Sequence, residues 1–353
     1  MVKRTVIIGV LGLGLLLGFL FRNDIRAWLS EPRSLNSVEV KLLLREDPTF
    51  TELLLELQSS KVIDDIQVLR DLAEEQKMDT NTFAAGKYII LSGTKLSTLL
   101  EGFIKDENGN GKAEVKVNVV FNRCRTIEDI GANISKCILA DSASIVDWIY
   151  SAETLNKYHF TKSQVPALFL PGDYEMYFDT DAETFVAFMA EQFKAFWNEE
   201  RTAKIKALGL DYPSQVATLA SIVYSEQSKM EEEWPVIARL YLNRLNKGML
   251  LQSDPTFKFC WGSELDGVER LLNSHKQIDC PYNTYIYAGL PPGPICITPA
   301  RVMDAVLAPS ANNYLFMCGK PGGSGHNFAV TLADHDKNVS AYRKWLKEYL
   351  ENK

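Results

Sequence analysis

Histidine is scarce in this chain of 353 residues: His159, His275, His326 and His335 are the four, and no His-Glu-x-x-His spacing relates them. The six cysteines include no Cys-x-x-Cys pair. A zinc centre is therefore poorly supported, and neither a metal nor a cofactor is expected. A basic run is also missing beyond the first residues, and the net charge is −7. That balance argues against nucleic acid as a partner and fits an uncharged or mixed-charge substrate better. Hydrophobic residues make up 46% of the chain and charged residues 24%, enough for the cores of two or three globular domains.

The N-terminus holds the first informative segment. After residues 1–4, with Lys3 and Arg4, seventeen uncharged residues run from Thr5 to Phe21. That length is at the lower limit for a spanning helix, ~17–25 residues. No Ala-x-Ala cleavage site and no lipoprotein cysteine follows it, so an uncleaved anchor over residues 5–21 is expected rather than a removed signal peptide. Lys3 and Arg4 favour a cytoplasmic start and an extracytoplasmic remainder, although Arg22 and Arg26 reduce the charge asymmetry. An oxidising compartment would permit disulfides among Cys124, Cys137, Cys260, Cys280, Cys296 and Cys318. Cys124–Cys137 and Cys260–Cys280 are the pairs to test, with small buried thiols as the alternative.

Residues 22–37 read as a tether. From Val38 the pattern is strand, turn, helix: Val38, Val40, Leu42 and Leu44 alternate, then Thr49 opens a segment with Phe50, Leu53, Leu54 and Leu57 at helical spacing. The unit returns near Val115, where Val115, Val117, Val119 and Phe121 alternate and Thr126 precedes Ile127, Ile130 and Ile134. In both copies an acid stands three residues after the threonine, Glu52 or Asp129, the arrangement of a capped helix start. These copies place a small α+β accessory region over residues 38–164. Between them, Asp106-Glu-Asn-Gly-Asn-Gly111 resembles half of a calcium loop, but its twelfth position is Val117 where a bidentate acid is needed, so a turn before a strand is the reading.

Residues 165–353 form a second, mainly helical region with extended loops. Phe185, Phe188, Met189, Phe193 and Phe196 make an apolar stripe that reads as core. Ser214 reads as the N-cap of a helix running to about Ser228, with Val216, Leu219, Ile222 and Val223 on its apolar face. Glu226 lies four residues past Ile222 and seven past Leu219, on or beside that face. A carboxyl in a poorly solvated place resists ionising, which is what a general acid near neutral pH requires. Two structural alternatives stay open: Glu226 caps the next helix, whose first turn holds Glu231, Glu232 and Glu233, or it pairs with an arginine. That next helix spans about Glu232 to Lys247 and stops at Gly248. Asn243 falls in its last turns, and a polar turn with Gln252 and Asp254 follows. Further on, Tyr282-Asn-Thr-Tyr285, Gly289-Leu-Pro-Pro-Gly-Pro-Ile295 and Gly322-Gly-Ser-Gly-His-Asn-Phe328 are rigid, aromatic-flanked loops suited to a sugar groove.

Taken in order, Leu219-Ala-Ser-Ile-Val223, Glu226, Asn243-Arg244-Leu245, Lys247-Gly-Met249, Leu251-Gln252, Asp254-Pro-Thr256, Tyr282-Asn-Thr-Tyr285, the proline loop and Gly325-His326 with Phe328 resemble the MltG/YceG-like endolytic murein transglycosylases. Gly86-Lys-Tyr88 and Leu99-Leu-Glu-Gly102 resemble that family's LysM-like part. The resemblance implies a lysozyme-like, YceG-type catalytic domain and a lytic transglycosylase acting on peptidoglycan glycan strands. It implies Glu226 as the acid/base, with Gln252, Asp254, Asn283, Thr284, Tyr285, His326 and Asn243 as substrate-side residues. It also implies an inner-membrane protein that limits nascent strand length beside the peptidoglycan synthases. Where the family has Ile-Val-Glu-x-Glu-Thr, this chain reads Ile222-Val-Tyr-Ser-Glu-Gln227, so the first acid is Tyr224 and Glu226 alone must carry the chemistry. Ser253 replaces the usual threonine, and Cys296-Ile-Thr-Pro299 follows the proline loop. A hydrolytic muramidase using Asp254 as base and a non-enzymatic wall-binding scaffold are the alternatives.

Overall fold

The computed structural model describes residues 31–351 except 123, 266, 269 and 270. The predicted anchor at 5–21 lies outside the described residues, and among those described no helix is long and apolar enough to cross a membrane. Two compact units emerge. The first comprises the chain up to Val117 together with Met176–Asp179, and the second comprises Asn118–Glu175 and Thr180–Lys353.

In the first unit, strand β1 (Val40–Leu44) pairs antiparallel with β2 (Gly86–Ile90), Val40 opposite Ile90 and Leu44 opposite Gly86. The alternation of the sequence appears directly, since Leu42 and Leu44 turn inward while Lys41 and Leu43 face solvent. Helices α1 (Phe50–Ser59), α2 (Ile66–Glu75) and α3 (Leu96–Phe103) cover the sheet's buried side, with Leu53, Leu54, Leu57, Leu69 and Leu100 in the core. Thr49 makes the expected capping box: its hydroxyl accepts from the Glu52 amide, and the Glu52 carboxylate accepts from the Thr49 amide. The loop at Asp106 is a turn, as read. Its carboxylate accepts from the amides of Asn108 at 2.8 Å and Asn110 at 3.0 Å.

The second unit holds β3 (Val117–Val120) except its first residue, paired with β4 (Asp173–Met176) except its last. Between them run α4 (Ile127–Ile134), α5 (Ser142–Ile149) and α6 (Ala152–Lys157). The Thr126 and Asp129 capping box starts α4, so the second strand–turn–helix copy forms in this unit. Helices α7 (Ala182–Phe196) and α8 (Glu199–Ala207) lead into the central helix α9 (Pro213–Glu226). From Val216 to Val223 every residue of α9 is buried, so the helix lies inside the core rather than against it. Ala217, Ala220 and Ser221 keep it slim enough for close packing. The two buried hydroxyls are satisfied within the helix, Thr218 donating to the Ser214 carbonyl and Ser221 to that of Thr218.

Around α9 pack α10 (Trp234–Asn246), α11 (Asp254–Trp261) and α12 (Ala300–Leu307), with Ile237, Leu240, Val302 and Val306 filling the space between them. Each such side chain contributes roughly 1.5–3 kcal/mol by leaving water. A hairpin of β5 (Phe316–Gly319) and β6 (His326–Ala329) precedes the long α13 (Leu332–Glu351).

Three local expectations are corrected. Ser214 does not cap α9: Tyr212 is the N-cap, and Pro213 takes the first helical position, where a missing N–H costs nothing. The helix ends at Glu226, not Ser228, with the indole of Trp234 donating to the Gln227 carbonyl at 2.6 Å beyond it. The polar turn after Gln252 becomes α11, again with a proline in its first turn. Of the two cysteine pairs, Cys260 and Cys280 form a disulfide with Cα atoms 6.1 Å apart, whereas Cys124 and Cys137 are free thiols.

Candidate active site

Glu226 is the last residue of α9, and its position there decides its surroundings. Up to Val223 the helix is encased. At Glu226 it emerges into a cleft of about 280 Å3 lined also by Tyr241, Arg244, Gln252, Asp254, Lys276, Tyr285 and His326. Glu226 as a whole residue is half-buried, with its carboxyl drawn into the cleft. Its Oε1 accepts two hydrogen bonds, from the Tyr241 phenol at 2.7 Å and the Ser253 hydroxyl at 2.5 Å. Oε2 accepts none among the described residues. Burial raises the Glu226 carboxyl above its ordinary value of 4.5; the two hydroxyls oppose the rise, and the charge of Asp254 adds to it. Such a group holds its proton toward neutrality with one oxygen fixed and the other available.

The two donors come from different elements. Tyr241 sits on α10 and is buried; its phenol is pushed well above 10.0 by burial and by Glu226, so it remains a donor. Ser253 is the residue before α11. An N-cap serine ordinarily accepts from its own helix, but here the hydroxyl makes no capping bond and is turned to Glu226.

That turn is set by the backbone. Gln252 adopts φ 51, the left-handed region, at a cost of roughly 1–2 kcal/mol for a non-glycine residue. Its amide donates to the Thr284 carbonyl at 3.1 Å, and the Ser253 amide donates to the Thr284 hydroxyl at 3.0 Å. Arg244 fixes the same loop from the other side, donating to the carbonyls of Leu250, Leu251 and Leu315 at 3.2, 2.9 and 2.6 Å. Burial lowers the Arg244 guanidinium, which has backbone carbonyls rather than a carboxylate for partners.

The cleft's second acid is differently placed. Asp254 Oδ1 accepts from the Tyr285 phenol at 2.5 Å and lies 3.2 Å from Lys276 Nζ, which in turn donates to that phenol at 2.9 Å. Outside the cleft lining, the buried Glu233 holds His326: it accepts from the His326 backbone amide at 2.8 Å, lies 2.7 Å from His326 Nδ1, and accepts from Gln227 Nε2 at 3.2 Å. The His326 contacts and the Gln227 bond hold Glu233 below the usual carboxylate range despite burial, the largest opposing influence.

Of the residues predicted from sequence, Glu226, Gln252, Asp254, Tyr285 and His326 meet in this cleft. Asn283 and Thr284 stand behind it. Asn283 is 0% exposed, and its side-chain amide clasps the carbonyls of Lys276 and Ile278, both at 2.9 Å, while its oxygen accepts from the Tyr285 amide. It shapes the loop and presents no face to a ligand. Thr284 ties Ser253 to Thr256. Asn243 binds the carbonyls of Asn312 and Tyr314, away from Glu226. Tyr224 turns from the cleft and meets Trp234 edge to face, ring centroids 6.1 Å apart.

Sequence reasoning missed Tyr241, Ser253, Lys276 and Glu233. Tyr241 belongs to an apolar stripe and Glu233 to an acidic run, so neither spacing distinguishes them. Ser253 gave a signal in its position between Gln252 and Asp254.

Comparison with known proteins agrees with this architecture. A chain from Bacillus subtilis named endolytic murein transglycosylase is 36% identical over 128 residues, which is 36% of this chain and 34% of that one. A protein of the same name from Streptococcus pneumoniae is 28% identical over 131 residues, 36% of this chain and 24% of its own length. The matched segment thus spans about a third of the first relative's length and about a quarter of the second's. In fold, the chain resembles a crystal structure of a yceG-like protein from Listeria monocytogenes, with TM-score 0.52 and 21% identity over 86% of this chain and 99% of the other. The YceG-like family pattern matches residues 42–341, and the chain belongs to that family.

Proposed function

We propose that this chain is an endolytic peptidoglycan lytic transglycosylase with Glu226 as its single acid/base. The observation that carries this is the unequal state of the two cleft carboxyls. Glu226 has burial to keep it protonated and an oxygen free to give the proton. Asp254 differs in its surroundings rather than in its free oxygen: its side chain is 39% exposed and its Oδ1 is paired with Tyr285 and the Lys276 ammonium, the setting of a charged carboxylate rather than of a proton donor. The names of the relatives from Bacillus subtilis and Streptococcus pneumoniae support the same reading.

In the proposed reaction, protonated Glu226 gives its proton to the oxygen between N-acetylmuramic acid and N-acetylglucosamine as the C1–O bond breaks. The carboxylate then takes the proton of the muramic 6-hydroxyl, whose oxygen closes on C1 as a 1,6-anhydro ring. No water is consumed, and Glu226 ends as it began. Tyr241 and Ser253 hold Oε1 so that proton delivery and recovery use one oxygen. Tyr285 and Gln252 offer hydrogen bonds and a stacking face to the sugars.

The proposal extends to residues 5–21 as a membrane anchor and to an extracytoplasmic catalytic unit, which the Cys260–Cys280 disulfide supports. The first unit is read as a LysM-like glycan-binding part, and the biological role as limiting nascent strands beside the synthases. The test is mass spectrometry of peptidoglycan digested by the protein and by Glu226→Gln. Anhydro-ended fragments from the parent alone support the proposal. Reducing ends would favour the muramidase, and wall binding without cleavage would favour the scaffold.

A further inference from the structure

A second, larger cleft of about 460 Å3 lies beside the first and plays no part in the chemistry above. The two clefts draw on the same two chain segments. Glu226 and Asp254 line the first, while their chain neighbours Ser225 and Pro255 line the second. The second cleft therefore begins one residue away from both carboxyls of the catalytic site.

Its chemistry is of one sign. Arg125 and Lys258 line it, both exposed, and neither forms an ion pair with a described carboxylate. No described aspartate or glutamate lines it. Acids stand just outside the lining: Glu226 and Asp254 face the first cleft, Asp173 accepts from the Asn122 side-chain amide at 3.0 Å, and Asp129 accepts from the backbone amides of Arg125 and Thr126 at 2.8 and 3.0 Å. Hydroxyls from Tyr224, Ser225 and Ser228 and the amide of Asn122 supply neutral hydrogen-bonding groups, and Phe259 adds an apolar wall. Cations without a described carboxylate partner, over a lining that mixes hydroxyls and an amide with apolar groups such as Ile295 and Ile297, fit a flexible chain that carries carboxylates, amides and short aliphatic groups.

We infer that this cleft is a subsite for the acidic stem peptide of the glycan strand, engaged while the sugar occupies the Glu226 cleft. The inference rests on the reading of the chain as a peptidoglycan enzyme. A ligand that fills both clefts must branch close to the reacting sugar, and a muramic acid residue bearing a carboxylate-rich peptide branches in that way. Tyr224 matters here through its neutrality, since an acid at that position would set a negative charge among the cations. The chain then acts on peptide-bearing strands in preference to bare ones.

The experiment uses the full chain and two forms of one glycan preparation, peptide-bearing and stripped by an amidase, with anhydro products counted by mass spectrometry. The parent is expected to prefer peptide-bearing strands by roughly fivefold to tenfold, the size of two partly solvated charge contacts. Arg125→Gln with Lys258→Gln should lose that preference while cutting stripped strands at the parent rate, and Arg125→Lys with Lys258→Arg should keep it. Equal cutting of both forms by the parent, or equal loss on both by the double variant, overturns the subsite. Direct titration with a free acidic stem tetrapeptide separates this idea from the proposed activity. Saturable binding by the parent and by Glu226→Gln, weakened by the double variant and by Tyr224→Glu, supports the subsite even if no glycan is cut. Absence of binding to the parent overturns it.

Discussion

Tyr241→Phe isolates the device that sets the Glu226 proton. The phenol donates to Oε1 at 2.7 Å, and phenylalanine fills the same buried volume with no orphaned donor left behind. A hydrogen bond to an ionised group contributes about 1.5–3 kcal/mol, against about 1 kcal/mol for one between neutral groups. The phenol thus favours the carboxylate over the acid by roughly 1 kcal/mol, a little under one pH unit. The sign follows: without it, Glu226 rises further, and the alkaline limb of the kcat/KM profile, where the general acid loses its proton, moves up by somewhat less than one unit. The assay is the pH dependence of anhydro-product formation for parent and variant at fixed ionic strength, with thermal denaturation as a check on packing. Ser253→Ala should move the limb in the same direction. A limb that stays in place or moves down in Tyr241→Phe, with the fold intact, would refute Glu226 as the titrating acid.

Other outcomes follow from the same contacts. Because the folded Glu226 carboxyl lies above its ordinary 4.5, its contribution to stability is full below that pH and is lost as pH rises through the folded value. Glu226→Gln should therefore abolish cutting yet raise Tm at neutral pH relative to the parent, with the gap closing near pH 4. At Gly325, φ is 75 and a Cβ would overlap Glu233 Oε1, so Gly325→Ala should destabilise the fold by at least the roughly 1–2 kcal/mol of a left-handed residue, read as a lower Tm, and reduce cutting by shifting His326. Removing the disulfide in Cys260→Ser with Cys280→Ser opens a loop of sequence separation 20, worth roughly 3 kcal/mol in chain entropy, and urea denaturation should show a loss of that order.

The parts of the molecule that were legible in sequence are those that repeat along it. The apolar spacing of Leu219, Ile222 and Val223 gave the central helix, and the paired threonines gave both capping boxes, because each depends on residues within one turn. Helix α11 left no such trace, since only Thr256 and Phe257 are buried in it and two adjacent residues make no stripe. The shell of donors around Glu226 was invisible for a different reason. Tyr241 and Ser253 reach Glu226 across 15 and 27 residues, and nothing local marks a buried tyrosine or a cap serine as a donor to a distant acid. Asn283 failed in the opposite way: set between tyrosines, it looked like a sugar ligand, whereas its side chain closes its own loop.

The features around Glu226 that oppose stability have a common geometric cause. Gln252 must be left-handed for the chain to reverse between Leu251 and Ser253, and that reversal is what faces the Ser253 hydroxyl toward Glu226 instead of toward the α11 amides. An unused cap costs ~1 kcal/mol and the left-handed residue roughly as much again, both to bring one hydroxyl to one carboxyl oxygen. The compensation is equally local. The Thr256–Thr284 hydroxyl pair at 2.8 Å, the Arg244 bonds to the loop carbonyls and the disulfide at the far end of α11 all act on the same few residues. A strained turn held at every flank cannot relax away from the acid, so the donors stay in place whether Glu226 is protonated or not. An acid that must give a proton and then recover it within one turnover needs such a frame, because a carboxylate free to rotate after the first step would not meet the second proton in line.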